Sequence, residues 1–310
     1  MEDKRTHKPP REIVVISGKG GTGKTSLVGA FAALCDKVVV ADVDVDAPDL
    51  HLLLAPEIQS KRAFVSGKQA RVRPELCKGC GLCAELCRFD AVGSHGSTSL
   101  EGASETYRVH PMACEGCGVC AWFCPEGAIA FEPVRRGEWF RSLTRFGSMV
   151  HARMDVGAEN SGKLVTLLRN EARNIAVDTG CDLILCDGSP GIGCPVIASV
   201  TNANLVVVVT EATLSGKHDM ERVLRLARGF GLKTAVCVNR ADIAPEMADQ
   251  VEAGASQQGA VVLPRVPYDP AILHAQQQGL TIVEFPDSPS ARAIARCWSE
   301  ICKLLDEPAD

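Results

Sequence analysis

No apolar run in the sequence approaches the length of a bilayer crossing; the longest, LVVVVT from Leu205, is strand-sized. The opening residues MEDKRTHKPPREI are charged and carry no apolar h-region, so neither secretion nor an N-terminal anchor is expected, and residues 1–10 read as a short solvated tail. Excess positive charge is missing as well. A formal net charge of -5 argues against general coating of nucleic acid, which needs a concentrated positive surface, so no nucleic-acid partner is expected, though a local basic patch stays open. There is no long low-complexity tract. These absences predict a soluble, cytoplasmic chain whose 310 residues suit one large α/β domain carrying something extra.

What the sequence has in quantity is cysteine. Fifteen of them in a reducing cytosol cannot plausibly form a disulfide framework, and metal is the better explanation. Eight fall between about Pro74 and Pro133, among glycines and short polar turns. On either side, apolar runs (EIVVIS, KVVVAD, DLILCD, LVVVVT, TAVCVN, VVLPRV) alternate with helical patterns such as Lys24 to Cys35, Asn160 to Arg173 and Gly216 to Phe230. Continuous Val/Ile/Leu runs suit strands covered on both faces, which predicts a doubly wound α/β domain with a mostly parallel sheet. That pattern stops at the cysteines and resumes after them. The segment 74–133 is therefore expected as an insertion between a first part, 11–73, and a second part, 134–310. Between Gly137 and Val156, alternation around Phe-Gly-Ser predicts a hairpin.

Cys77, Cys80, Cys83 and Cys87 form C-x2-C-x2-C-x3-C, and Cys114, Cys117, Cys120 and Cys124 repeat it, with Pro125 completing a C-P ending. Paired C-x2-C units also suit tetrahedral zinc; the duplicated x2-x2-x3 spacing favours iron-sulfur clusters. The segment resembles bacterial ferredoxins with two 4Fe-4S clusters and implies an α+β module of that kind. There the fourth cysteine of each run ligates the other cluster. The resemblance implies one cluster on Cys77, Cys80, Cys83 and Cys124, and its twin on Cys114, Cys117, Cys120 and Cys87. Arg88 stands where the usual proline would follow the first run, and charge near the sulfurs tunes a cluster's potential.

The stretch VISGKGGTGKTSL contains Gly18, Gly23, Lys24 and Thr25 in the order G-x-x-x-x-G-K-[ST], between an apolar run and a helical pattern. Backbone amides of such a loop cradle nucleotide phosphates, and the helix start favours anions. Gly18, Gly20, Gly21, Thr22, Gly23, Lys24, Thr25 and Ser26 are the expected contacts; Lys24 would meet the terminal phosphates and Thr25 would ligate magnesium. A second lysine, Lys19, has no role in an ordinary loop of this type. With it, GKGGTGKT resembles the deviant Walker A motif of the MinD, ParA, Mrp and nitrogenase iron protein superfamily, to which the cobyrinic acid synthases are related. The resemblance implies a magnesium-dependent ATPase in which Lys19 touches the nucleotide of a second subunit, so that ATP drives homodimer formation. It further implies that Asp42 in ADVDVDAPDLHLLL helps hold the magnesium shell, that Asp44 orients the attacking water, and that Asp187 is the Walker B aspartate. Asp46 in the same stretch is a further candidate. Gly191 and Gly193 would form a switch. Asn239 and Asp242 in VNRAD, with Pro267 and Tyr268 in VPYDP, resemble purine-contacting loops; N-R-x-D alone leaves ATP and GTP open, and the family favours ATP. No stretch is left for the glutaminase domain that amidation would need.

Cys194 lies where the nitrogenase iron protein has a cluster ligand, but DVGAENSGK offers no second cysteine, so a small buried or switch-lining thiol is expected. Cys35, Cys181, Cys186, Cys237, Cys297 and Cys302 read as core. Near the C-terminus, Ile294, Trp298, Ile301 and Leu305 share a helix face, expected to pack on its own domain and not on a membrane, since the acidic ending opposes anionic lipid. Three functions fit: an ATP-dependent dimeric switch with two 4Fe-4S clusters acting on a metalloprotein or cofactor-assembly partner, an ATP-gated electron-transfer protein, and a positioning ATPase of the MinD or ParA type.

Overall fold

The computed structural model describes residues 9–95, 106–157 and 161–307. Residues 1–8 of the expected tail, the final residues 308–310 and residues 158–160 of the DVGAENSGK stretch lie outside them. The strands are β1 (Arg11–Ser17), β2 (Val38–Asp42), β3 (Glu57–Val72), β4 (Val92–His95), β5 (Thr106–Val109), β6 (Ile129–Thr144), β7 (Gly147–Met154), β8 (Leu183–Pro190), β9 (Leu205–Glu211), β10 (Thr234–Asn239) and β11 (Val261–Val262). The helices are α1 (Lys24–Ala33), α2 (Leu50–Leu54), α3 (Leu82–Glu85), α4 (Val119–Trp122), α5 (Ser161–Thr179), α6 (Cys194–Val200), α7 (Leu214–Gly229), α8 (Pro245–Gln257), α9 (Ala271–Gln277) and α10 (Pro289–Asp306).

Among the described residues nine strands form one sheet in the order β11-β10-β9-β1-β8-β2-β7-β6-β3, while β4 and β5 pair separately. β1 lies parallel between β8 and β9, and β2 lies parallel between β8 and β7. The central strands are the continuous Val/Ile/Leu runs, and Ile13, Val14, Val15 and Ile16 are all fully buried. Such strands are stable only with both faces covered. Because β1, β2 and β8 run the same way, the segments leaving their carboxyl ends meet on one side of the sheet, where ligands bind in open α/β folds.

β6 and β7 are neighbours in the sheet and joined through Arg145 and Phe146, one residue earlier than the Phe-Gly-Ser turn expected from the sequence. Thr144 Oγ1 donates to the Gly147 carbonyl at 2.9 Å and accepts from Phe146 N–H at 3.2 Å. Gly147 has φ of 144°, and a Cβ there would strike the Val38 carbonyl of the adjacent strand, so glycine is required for β2 to pair with β7.

The chain divides into two compact units, one of Met1–Arg62, Glu138–Met154 and Ser161–Asp310, the other of Ala63–Gly137 and Asp155–Asn160. The second is broader than the cysteine-rich segment 74–133, since β3 and β6 are sixteen residues each and pass from one unit into the other.

In the first unit α10 buries Ile294, Trp298, Ile301 and Leu304, with Trp298 stacked on Phe31 of α1 at 5.3 Å. Leu304 takes the buried place expected of Leu305, which packs at the edge of the core. The apolar stripe is thus covered by the chain's own core. Cys181, Cys186, Cys237 and Cys297 are buried, and Cys35 and Cys302 are half-buried.

Candidate functional site: an acidic phosphate-loop cavity and two thiol-lined cavities

The loop between β1 and α1 lines a solvent-open cavity of about 1310 Å³, which Asp44, Pro190, Arg240 and Gln276 also line. Gly23 caps α1 with φ of 88°, and a Cβ there would fall on the side-chain amide of Asn239. The loop can therefore close against β10 only with glycine at this position.

Lys24 is buried, and its ammonium pairs with Asp187 Oδ1 and, at 3.2 Å, with Asp44 Oδ2. Thr25 Oγ1 donates to Asp187 Oδ2 at 2.7 Å. Asp42, fully buried, accepts from the backbone N–H groups of Asp44 and Leu50, each at 3.2 Å. Lys24, Thr25, Asp42, Asp44 and Asp187 are thus brought together from three strand ends.

Three carboxylates here share one ammonium, and the electrostatics follow. Burial pushes Asp42 well above the usual carboxylate range, and the neighbouring Asp187 adds to it. Burial also lifts Asp44, to about 6, against the pull of Lys24. Burial depresses Lys24, but Asp187 and Asp44 outweigh it and hold the ammonium above its ordinary value. Asp44 Oδ1 is buried with no hydrogen-bond partner among the described residues. A cluster of hard oxygens short of positive charge, with one lone pair unspent, fits a hydrated divalent cation such as magnesium.

The remaining sequence-predicted residues are placed differently. Lys19 is not among the residues lining the cavity. Its ammonium lies 3.4 Å from Glu211 Oε2 and 3.3 Å from Ser215 Oγ, and Glu211 is held in turn by Arg240 at 2.6 Å. Asn239 is buried; its amide donates to the Thr22 carbonyl at 2.8 Å and its Oδ1 accepts from Arg240 N–H at 3.0 Å. Asp242 accepts from Tyr268 N–H at 2.6 Å, joining the two loops expected at the purine, and the Pro267 carbonyl accepts from Ser290. Tyr268 is exposed. Sequence reasoning missed Arg240 and Gln276. Arg240 sits inside VNRAD with φ of 53°, a conformation uncommon for a non-glycine residue, whereas nothing in the run QQQ marks Gln276. At the switch, Gly191 takes φ of 91° and donates to the Ser17 carbonyl at 2.8 Å, and Cys194 is exposed at the start of α6, not buried.

The second unit is built on a duplication. Gly79 and Gly81 adopt positive φ in the first run, and Gly116 and Gly118 do so at the matching places of the second. α3 and α4 occupy equivalent positions. Arg73 N–H reaches the Ala128 carbonyl at 2.7 Å, and its counterpart His110 N–H reaches Ala91 at 2.6 Å. Ala91 N–H donates to Cys87 Sγ and Ala128 N–H to Cys124 Sγ, both at 3.3 Å. All fifteen cysteines are free. One cavity of about 360 Å³ is lined by Cys77, Cys80, Cys83 and Cys124. Another, about 290 Å³, is lined by Cys87, Cys114, Cys117 and Cys120. Among the described residues no three His, Cys, Asp or Glu side chains are grouped to hold a metal ion; the thiols stand around cavities instead.

The sheet topology and the lysine-carboxylate site under the phosphate loop define a P-loop nucleotide-binding protein. Residues 13–282 match the model of the CobQ/CobB/MinD/ParA nucleotide binding domain. The chain belongs to that family and is an ATPase. It is 31% identical over 237 residues to an uncharacterized protein of Methanocaldococcus jannaschii, covering 74% of this chain and 78% of that one. Its fold is similar to the cell division ATPase MinD of Pyrococcus furiosus, at 20% identity and a TM-score of 0.56 over 95% of this chain and 99% of that one. It is similar too to the septum site-determining protein MinD of Pyrococcus horikoshii, solved with Mg-ADP, at 19% identity and a TM-score of 0.56 over 96% and 98%.

Proposed function

We propose that this chain is an ATP-dependent dimeric switch that carries two 4Fe-4S clusters and acts on a metalloprotein or cofactor-assembly partner. In the nucleotide half, the amides of Gly20, Gly21, Thr22 and Gly23 face the phosphates at the start of α1. Lys24, now shared by Asp44 and Asp187, is the cation nearest the terminal phosphates, and Asp44 orients the attacking water. Thr25 and Asp42 would hold magnesium, which supplies charge neutralisation when bound. Lys19 leaves Glu211 to meet the nucleotide of the partner subunit.

The observation that carries the cluster half is the membership of the two cavities: each gathers three cysteines of one run and the fourth of the other. Thiolate sulfurs suit iron-sulfur clusters, and backbone N–H groups on Cys87 and Cys124 tune such sulfurs. Bound clusters would supply one-electron chemistry. Burial holds the thiols of Cys83 and Cys120 up, so metal binding there would release protons. The nucleotide half taken alone fits a positioning ATPase of the MinD or ParA type equally well; the two thiol-lined cavities are what support the cluster-bearing reading. A module of segment 74–133 within an ATPase of 11–73 and 134–310 follows from the same reading.

Anaerobic purification with iron and acid-labile sulfide analysis tests it; two cubane clusters per chain are expected, and zinc in place of iron would overturn it. Cluster oxidation that tracks ATP turnover would move the reading to the ATP-gated electron carrier.

A further inference from the structure

Gln276 reaches the nucleotide cavity from the last turn of α9, remote in sequence from the phosphate loop. Its Nε2 donates to Ser26 Oγ at 2.6 Å, and both side chains line the cavity. Ser26 is in the first turn of α1, next to Lys24 and Thr25, where unpaired backbone N–H groups face an anion. A hydroxyl has one proton to give and two lone pairs to receive with, and its proton rotates to suit. A Ser26 oxygen already accepting from an amide N–H is committed as acceptor on that side. Its proton is then left for an acceptor in the cavity.

The geometry points to Gln276 as a positioning residue for nucleotide binding: by donating to Ser26 it aims the serine hydroxyl at a phosphate oxygen of the bound nucleotide. The oxygen in question is one that a diphosphate and a triphosphate share, because Ser26 sits beyond Lys24 and Thr25 along the helix, away from the terminal phosphate. Gln276 therefore strengthens ATP and ADP binding alike and leaves the hydrolytic step untouched. The inference rests on the phosphate-loop reading of the cavity.

Titration of the full-length protein with ATP and ADP, alongside steady-state hydrolysis, tests it. Gln276→Ala is expected to raise the Kd of both nucleotides by roughly tenfold, the size of one hydrogen bond to a charged group, and to raise KM with kcat unchanged. Ser26→Ala should lose a similar amount, and the double variant no more than either single one, because the two act as one unit. Gln276→Glu separates positioning from packing. It keeps the shape, but a carboxylate only accepts and would draw the serine proton toward itself, so binding should fall at least as far as with alanine. Wild-type affinity in Gln276→Ala or Gln276→Glu, or additive losses in the double variant, overturns the role of Gln276 while leaving the site intact. Failure of the wild-type protein to bind either nucleotide overturns the site itself and this inference with it.

Discussion

Asp44 is pulled in two directions: burial and the nearby Asp187 favour its protonated form, and Lys24 favours its carboxylate. The balance lies on the side of the proton, at about 6 against an ordinary 3.8. The folded protein thus keeps a proton that the unfolded chain has already released, and stability falls as pH rises between those two values. Asp42, shifted the same way by burial and Asp187, steepens the slope. The contribution of this site to the denaturant midpoint of the nucleotide-free protein should therefore decline from about pH 4 to pH 6, opposite in sign to that of Asp269 and Glu284, whose carboxyls are held below their ordinary range. Asp44→Asn should flatten the decline, and magnesium with nucleotide should do the same by favouring the carboxylates. A wild-type midpoint that falls no more steeply over this window than that of Asp44→Asn would contradict the arrangement of charges. What the sequence offered at this site was the roster of Lys24, Asp42, Asp44 and Asp187, each recognisable from its local motif. It could not offer the Lys19–Glu211–Arg240 chain, which joins three distant segments and has no motif to announce it.

At the scale of elements, α10 and the two cysteine runs carry the most. Trp298 packs on Phe31 and closes the core of the first unit; Trp298→Ala should cost about 3–5 kcal/mol, read as a lowered unfolding midpoint. The cysteine runs make a prediction that separates sequence from space. Cys124→Ser removes a thiol of the second run, yet its cavity is that of Cys77, Cys80 and Cys83. On the cluster-bearing reading it should leave the same surviving cluster, by electron paramagnetic resonance, as Cys80→Ser. Cys87→Ser should match Cys117→Ser instead. Spectra that pair by run would exclude crossed ligation. Central strands such as EIVVIS and LVVVVT were legible because they are buried on both faces and leave an unbroken apolar signature. β3 was not legible, since charged and polar residues such as Lys61, Arg62, Lys68 and Arg71 interrupt it and most of its side chains are exposed. Its length, with that of β6, is why the second unit extends beyond the cysteine-rich segment.

At the scale of the whole molecule, the ATP-driven homodimer proposed above raises the question of what would make closure wait for nucleotide. Two triphosphate sites facing one another repel unless each gains cations on closure, and Lys19 is the cation held outside its own cavity. In this structure it is not idle, for Glu211 pairs with it at 3.4 Å, and Arg240 steadies Glu211 at 2.6 Å. Lys19 is partly exposed, so this pair is a weak one, easily exchanged for a phosphate in a closing interface. On that proposal, closure would trade a modest contact within one chain for a stronger one across two. Lys19→Ala should abolish ATP-dependent dimerisation while leaving nucleotide binding by the monomer largely intact. Glu211→Gln acts in the opposite sense: with the competing carboxylate gone, the dimer should form at several-fold lower protein concentration, a gain on the order of 1 kcal/mol. Sedimentation with a non-hydrolysable ATP analogue reads both variants. If Lys19→Ala dimerises like wild type, or if Glu211→Gln dimerises less readily, the exchange of partners by Lys19 is not what couples nucleotide to assembly.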